Sequence, residues 1–186
     1  IYGDEDPIPV IFQSGYLTIK SYDKEFGLYR LGFPNREVEE GFAKFLIPFY
    51  TRFSKIEAPF EIQKFVQEIR RGQPEAFLKR LQGFFADTPY ELVSDLELHY
   101  QNVLFIIFKL VGFYTQAEYH TSEGRIDLVV KAPDYVYVME FKLQGTAEEA
   151  MEQIEKKHYA RPFETDSRKL FKIGINFSNK TRNIEK

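Results

Sequence analysis

Gly124-Arg125-Ile126-Asp127-Leu128-Val129-Val130-Lys131-Ala132-Pro133-Asp134-Tyr135-Val136-Tyr137-Val138-Met139-Glu140-Phe141-Lys142-Leu143 reads as two strands joined by a turn at Ala132-Pro133-Asp134, a β-hairpin. Apart from Glu140 and Lys142 the second strand is apolar at both parities, the pattern of a central strand covered on both faces. Successive strand residues alternate between faces, so Glu140 and Lys142 share one side. Asp127 has the parity of Val129, while Ile126, Leu128 and Val130 point the other way. One face of the hairpin can therefore carry Asp127, Glu140 and Lys142 together.

Such a cluster needs compensation. Two carboxylates about 4 Å apart repel by roughly 4 kcal/mol at an effective dielectric near 20, and desolvation adds to that. Lys142 can neutralise one charge, and a divalent cation with oxygen ligands, Mg²⁺ ahead of others, suits the pair. The residues alone leave a second arrangement open, in which Glu140 and Lys142 form a surface ion pair at the strand end and Asp127 is solvated.

An Asp, a spacer of strand-plus-turn length, and a Glu-Phe-Lys that closes an apolar strand resemble the PD-(D/E)XK nuclease superfamily, with its restriction-endonuclease-like core. The likeness extends to the nuclease-like domain that follows an AAA-type ATPase domain in many bacterial proteins. There, Gly-Arg-Ile-Asp-Leu, Glu-Phe-Lys, a Gln-Ile…Tyr element and a Gly-x-Asn-Phe strand occur in this order. They correspond here to Gly124 to Leu128, Glu140 to Lys142, Gln153-Ile154 with Tyr159, and Gly174-Ile175-Asn176-Phe177. The resemblance is tight over the second half of the chain and looser over Phe12 to Lys20.

Composition sets bounds. With 186 residues, 44% hydrophobic, the chain can bury one good core and a smaller satellite. No apolar run reaches the roughly 20 residues of a membrane span; Val103 to Val111 is interrupted by Lys109. The chain opens at Ile1 with no signal-like segment and reads as a piece of something longer. The lack of cysteine excludes disulfides and thiolate metal sites and suits a reducing cytoplasm. A net charge of -3 without a dense Lys/Arg block confines any nucleic-acid contact to a local basic patch.

Taken in order, Val10-Ile11-Phe12, Tyr16 to Ile19 and Leu28 to Leu31 read as short antiparallel strands. Asn35 is a candidate N-cap for a helix with apolar positions at Val38, Phe42, Phe45, Leu46 and Phe49. Glu61 to Arg71 and Pro74 to Phe85 follow as an αα-hairpin broken at Gly72. Residues 1–87 are read as an adaptor whose aromatic stripes serve as core or docking surface. From 88 the core begins: Thr88-Pro89-Tyr90-Glu91 opens a helix running to about Leu110, with Val93, Leu96, Tyr100, Val103, Ile107 and Leu110 as one stripe. Glu97 flanks that stripe, either paired with Ser94, solvated, or turned toward the carboxylates. Phe113 to His120 is the first core strand. Thr146, with Glu149 in a capping box, starts a helix to about His158, and Arg168 to Phe177 is the last strand before a frayed basic tail. Gln153 flanks the inward side of its helix and either holds a phosphate or water or is a satisfied surface amide; Tyr159 either joins it or only packs. The order helix, three strands, helix, strand is α+β, a mixed α/β arrangement for residues 88–186.

The resemblance implies a nuclease hydrolysing phosphodiester bonds with Mg²⁺, or Mn²⁺ in its place. Asp127, Glu140 and the Phe141 carbonyl would ligate the ion, with Glu97 completing the site, and Lys142 would position or deprotonate the water. Gln153, Tyr159 and Arg125 are candidate substrate contacts. The implied partners are nucleic acid, DNA ahead of RNA, and an AAA-type ATPase domain of the same full-length protein, with no membrane. The competing class is a non-catalytic docking or regulatory module for such an ATPase; this chain has no Gly-x-x-x-x-Gly-Lys-Ser/Thr of its own. His99, His120 and His158 show no metal-ligand spacing and are expected to have no role.

Overall fold

A computed structural model describes residues 6–86, 96–122, 125–142, 145–178, 181 and 183–185, with the side chains of 96, 97, 118–122 and 125–127 outside the description. The chain divides into two compact units, 1–45 and 46–186.

In the first unit, α1 (Ile8–Gln13) is followed by the hairpin of β1 (Thr18–Asp23) and β2 (Leu28–Gly32) and by the start of α2 (Arg36–Tyr50). Val10 to Phe12 are helical, where strand was expected. Three apolar residues carry no period, whereas the Asp6 carboxylate accepts from the Ile8 N–H at 3.0 Å and a proline stands in the first turn. The hairpin is antiparallel, with a bulge between Ile19 and Ser21. Asp23 Oδ1 accepts from the Glu25 and Phe26 amides and so closes the turn. Asn35 caps α2, its Oδ1 accepting from the Val38 N–H at 2.9 Å.

In the second unit, α3 (Ala58–Arg70) and α4 (Pro74–Phe85) form the expected αα-hairpin. Gly72, at φ +70°, makes the turn, and a Cβ there would lie 2.3 Å from the Tyr135 ring. Glu61 and Glu68 of α3 share the Arg80 guanidinium of α4. After α5 (Leu96–Gly112) comes a five-stranded sheet of β3 (Gln116–Ser122), β4 (Arg125–Lys131), β5 (Tyr135–Lys142), β6 (Lys169–Ser178) and β7 (Asn183–Glu185), with α6 (Ala147–Lys156) between β5 and β6. The strands stand in chain order, and only the β5–β6 pair is parallel. This is the expected mixed α+β fold of restriction-endonuclease-like type. The expected opening of α5 at Thr88 to Glu91 lies outside the described residues. Among the described residues no helix is long and apolar enough to cross a membrane.

The two faces of β5 are covered differently, as its near-continuous apolar run requires. Tyr137 and Phe141 meet Phe77 of α4 and Phe108 of α5, and the buried Tyr137 hydroxyl donates to the Ile69 carbonyl of α3 at 2.7 Å. On the other face Val136 and Val138 pack with Ile154 of α6 and Ala160. Helices α3 and α4, read from sequence with the adaptor, thus cover one face of the sheet, and the division between the two compact units falls inside α2. Amphipathic spacing shows that a helix has an apolar face; it does not show which partner buries that face. Within the tail expected to be frayed, Asn183–Glu185 form β7, which pairs with β6; Ile184 is buried, and Gln82 of α4 donates to the Ile184 carbonyl at 2.9 Å.

Candidate active site

The site is set by strand register. Asp127 of β4 stands directly opposite Glu140 of β5, and Glu140 stands beside Gly174 of β6. Directly opposed positions share a sheet face. One row further along, Arg125, Lys142, Asn176 and Glu185 line up across β4 to β7. The positions of Asp127, Glu140 and Lys142 therefore fall on one face, the one that α6 covers, as strand parity had led us to expect.

Glu140 is wholly buried, and its Oε1 lies 3.6 Å from the Lys142 ammonium, which is itself only 16% exposed. This excludes a solvated surface ion pair for these two residues. A buried carboxylate in a sheet interior persists only if positive charge stands by it. Lys142 also donates to Gln153 Oε1 of α6, so Gln153 is neither a free surface amide nor aimed away from the cluster.

Close approach of α6 makes that bond possible, and two glycines permit the approach. A Cβ on Gly174 would lie 2.3 Å from the Ala147 carbonyl oxygen and 2.8 Å from the Met151 nitrogen, so the first turns of α6 rest on bare β6 backbone beside Glu140. Gly145 holds φ +132°, where a Cβ would meet the Glu149 carboxylate. Thr146 and Glu149 form the expected capping box, each side chain accepting from the other's backbone N–H.

Other expected site residues fall elsewhere. Tyr159 packs on the Val136, Val138, Ile154 and Ala160 cluster. Val138 is four residues from Lys142, about 13 Å along a strand. Its position follows from the end of α6, where His158 takes a left-handed φ of 56° and the Tyr159 N–H donates back to Ile154. Phe141 turns its ring to the opposite face, so only its backbone carbonyl is available to the cluster. Glu97 lies in the first turn of α5 and Arg125 begins β4; their side chains, with that of Asp127, lie outside the description, as does Ser94.

Two further positions, named in the sequence but given no part in the site, fall in register with it. His120 of β3 stands directly opposite Asp127, extending the row to His120, Asp127, Glu140 and Gly174. Only the pairing register reveals it, since His120 has no informative spacing from other ligands. Asn176 is the second: it belongs to the Gly-x-Asn-Phe strand quoted above, and the β5–β6 register sets it beside Lys142.

The donor set is one of oxygens. A wholly buried carboxylate with an aspartate position directly opposed fits a hard divalent cation such as Mg²⁺ or Mn²⁺. Among the described residues no three His, Asp or Glu side chains gather into a group that could hold a metal ion; the side chain of Asp127 lies outside them. Cavities of about 330 Å³ beside Phe105 and Lys109 and about 410 Å³ beside Arg52 and Arg80 include none of these site residues. His99 is buried on α5 with its ring stacked near Tyr50 at 6.3 Å, and burial lowers its pKa.

Comparison with known proteins bears on the same stretch. The family model described as PD-(D/E)XK nuclease superfamily matches residues 95–186. A protein of Azotobacter chroococcum mcd 1, described as an uncharacterized protein in the vnfD 5′ region, is 27% identical over 195 residues, covering 98% of this chain. The chain spans 37% of that relative's length. No solved structure gives a significant match. The family match covers α5 through β7, the stretch that holds the Asp127–Glu140 row and Lys142, and residues 95–186 belong to the PD-(D/E)XK nuclease superfamily.

Proposed function

We propose that this domain is a metal-dependent nuclease that hydrolyses phosphodiester bonds of nucleic acid, DNA ahead of RNA. The observation that carries the reading is the direct opposition of Asp127 and Glu140, with the Lys142 ammonium 3.6 Å from the buried carboxylate. Asp127 and Glu140 hold Mg²⁺ or Mn²⁺, with the Phe141 carbonyl and Glu97 as further ligands. When bound, the ion acts as a Lewis acid on the phosphoryl oxygen and lowers the pKa of its water. Lys142 orients that water and offsets negative charge developing on the phosphate, and Gln153 fixes the direction of the ammonium. Arg125 lies in register with Lys142 and contacts the substrate backbone. We further propose that an AAA-type ATPase domain belongs to the same full-length protein.

A docking role for the first unit is favoured by a separate observation. Val10, Phe26, Leu28 and Tyr29 of that unit are each more than 60% exposed, more apolar surface than a small unit ordinarily leaves bare. In the docking-only reading the nuclease-like face is inert.

The test pairs two substitutions with two readouts. Asp127→Asn should reduce the Mn²⁺-induced thermal shift and abolish cleavage of mixed DNA and RNA substrates. Lys142→Ala should keep a Mn²⁺-induced shift and still abolish cleavage. A wild-type protein whose melting temperature does not respond to Mn²⁺ would overturn the nuclease reading, because an intact carboxylate pair binds the ion without a partner domain.

A further inference from the structure

The Lys142 ammonium carries three N–H donors. One goes to Gln153 Oε1, and Glu140 Oε1 at 3.6 Å is an ion-pair partner beyond good hydrogen-bond distance. On the adjoining strand, in register with Lys142 and on the same face, stands Asn176. Its Oδ1 is buried and has no hydrogen-bond partner among the described residues. Parallel neighbours are about 4.8 Å apart, within reach of a lysine side chain. Buried amide oxygens are almost always paired, so this one is poised to take a donor. Of the positions in its row, Lys142 is the one whose ammonium, already inside the site, has donors to spare.

We propose that Asn176 is a positioning residue for Lys142. Its Oδ1 accepts one ammonium N–H and Gln153 Oε1 accepts a second, so the lysine is held from β6 and from α6 at once. The third N–H is thereby left for the neighbouring row of Asp127 and Glu140, where the nuclease reading puts the reacting water or phosphate oxygen. A lysine alone is a flexible four-carbon chain, and two fixed acceptors restrict its charge to one place. Gly174, two residues before Asn176, lets α6 come close enough for Gln153 to supply its half. The functional consequence rests on the nuclease reading; the placement of the ammonium does not.

The test is therefore made first without metal or substrate, by ¹⁵N NMR of the side-chain ammonium groups in lysine-labelled protein. Wild type should show a lysine ammonium signal protected from solvent exchange that disappears in Lys142→Arg. In Asn176→Leu the protection should be lost, and in Asn176→Asp, which keeps an acceptor, it should persist. Asn176→Ala gives the same comparison should the larger side chain disturb folding. A wild type without a protected Lys142 signal, or protection unchanged in Asn176→Ala, overturns the inference. Steady-state kinetics then separate the two claims. With cleavage established, Asn176→Ala should lower kcat while KM and the Mn²⁺-induced thermal shift stay at wild-type values. Loss of the Mn²⁺ shift in that variant would instead point to a merely structural role and count against positioning. Protection that depends on Asn176 in a protein that cleaves nothing would leave the placement standing and remove the nuclease reading.

Discussion

Glu140, wholly buried on the central strand, stands 3.6 Å from the ammonium of Lys142 two residues further along. Removing one member of such a pair leaves a charge in a low-dielectric interior. Lys142→Met should destabilise the protein by about 3 kcal/mol, at the lower end for a broken buried pair because Lys142 keeps some solvent contact. The double variant Glu140→Gln/Lys142→Met should recover most of that loss. Urea denaturation of the three proteins checks both, and equal loss in the single and double variants would mean that charge is not what the pair contributes.

Gly174→Ala should be among the most damaging single-methyl additions in the chain. The new Cβ would press on backbone atoms of Ala147 and Met151, which cannot yield without lifting α6 from the sheet. A cost of about 3 kcal/mol is expected, the upper end for overpacking. Cleavage should fail with it, since Gln153 would leave Lys142. Gly83→Ala is the control: it lies in α4 with nothing within 4 Å of the added methyl, and should raise stability by about 1 kcal/mol.

His158 closes α6 in the left-handed conformation at φ 56°, a position glycine ordinarily fills. His158→Gly should relieve about 1 kcal/mol of backbone strain and give back part of it to the unfolded chain, for a net gain of about 0.5 kcal/mol. Thermal unfolding measures it. The gain should vanish if the turn is not left-handed in solution.

Burial lowers the pKa of His99 below the ordinary histidine value of about 6.5. The sign of the linkage follows directly. As pH falls below about 6.5 the unfolded chain takes up the proton before the native one, so stability is fully present above that pH and is lost as pH falls through the depressed native pKa. Melting temperature should accordingly decline from neutral pH downward, and His99→Phe should flatten that part of the profile. An unchanged slope in the variant would assign the acid sensitivity to other groups.

Much of the fold was legible in local patterns along the chain. Parity along Tyr135 to Lys142 put Glu140 and Lys142 on one side, and the apolar residues at both parities made that strand central, because alternation and burial are local consequences of a covalent chain. The capping box at Thr146 and the Asn35 cap were equally legible, each being a contact between residues three apart. Val10 to Phe12 were misread because three apolar residues carry no period, whereas the helix start shows in the Ile8 N–H donating to the Asp6 carboxylate and in a proline of the first turn.

Relations between segments far apart in the chain were settled by folding alone. That His120 faces Asp127 and Asn176 faces Lys142 depends on pairing register, and a slip of one residue would have turned each to the other side. That α3 and α4 cover the sheet, and that Asn183 to Glu185 add a strand to its edge, depends on which apolar faces meet. Gly174 shows the division in one residue. The sequence marks a glycine in a strand, while only the fold brings the backbone of Ala147 and Met151 against it, and so lets Gln153 reach Lys142.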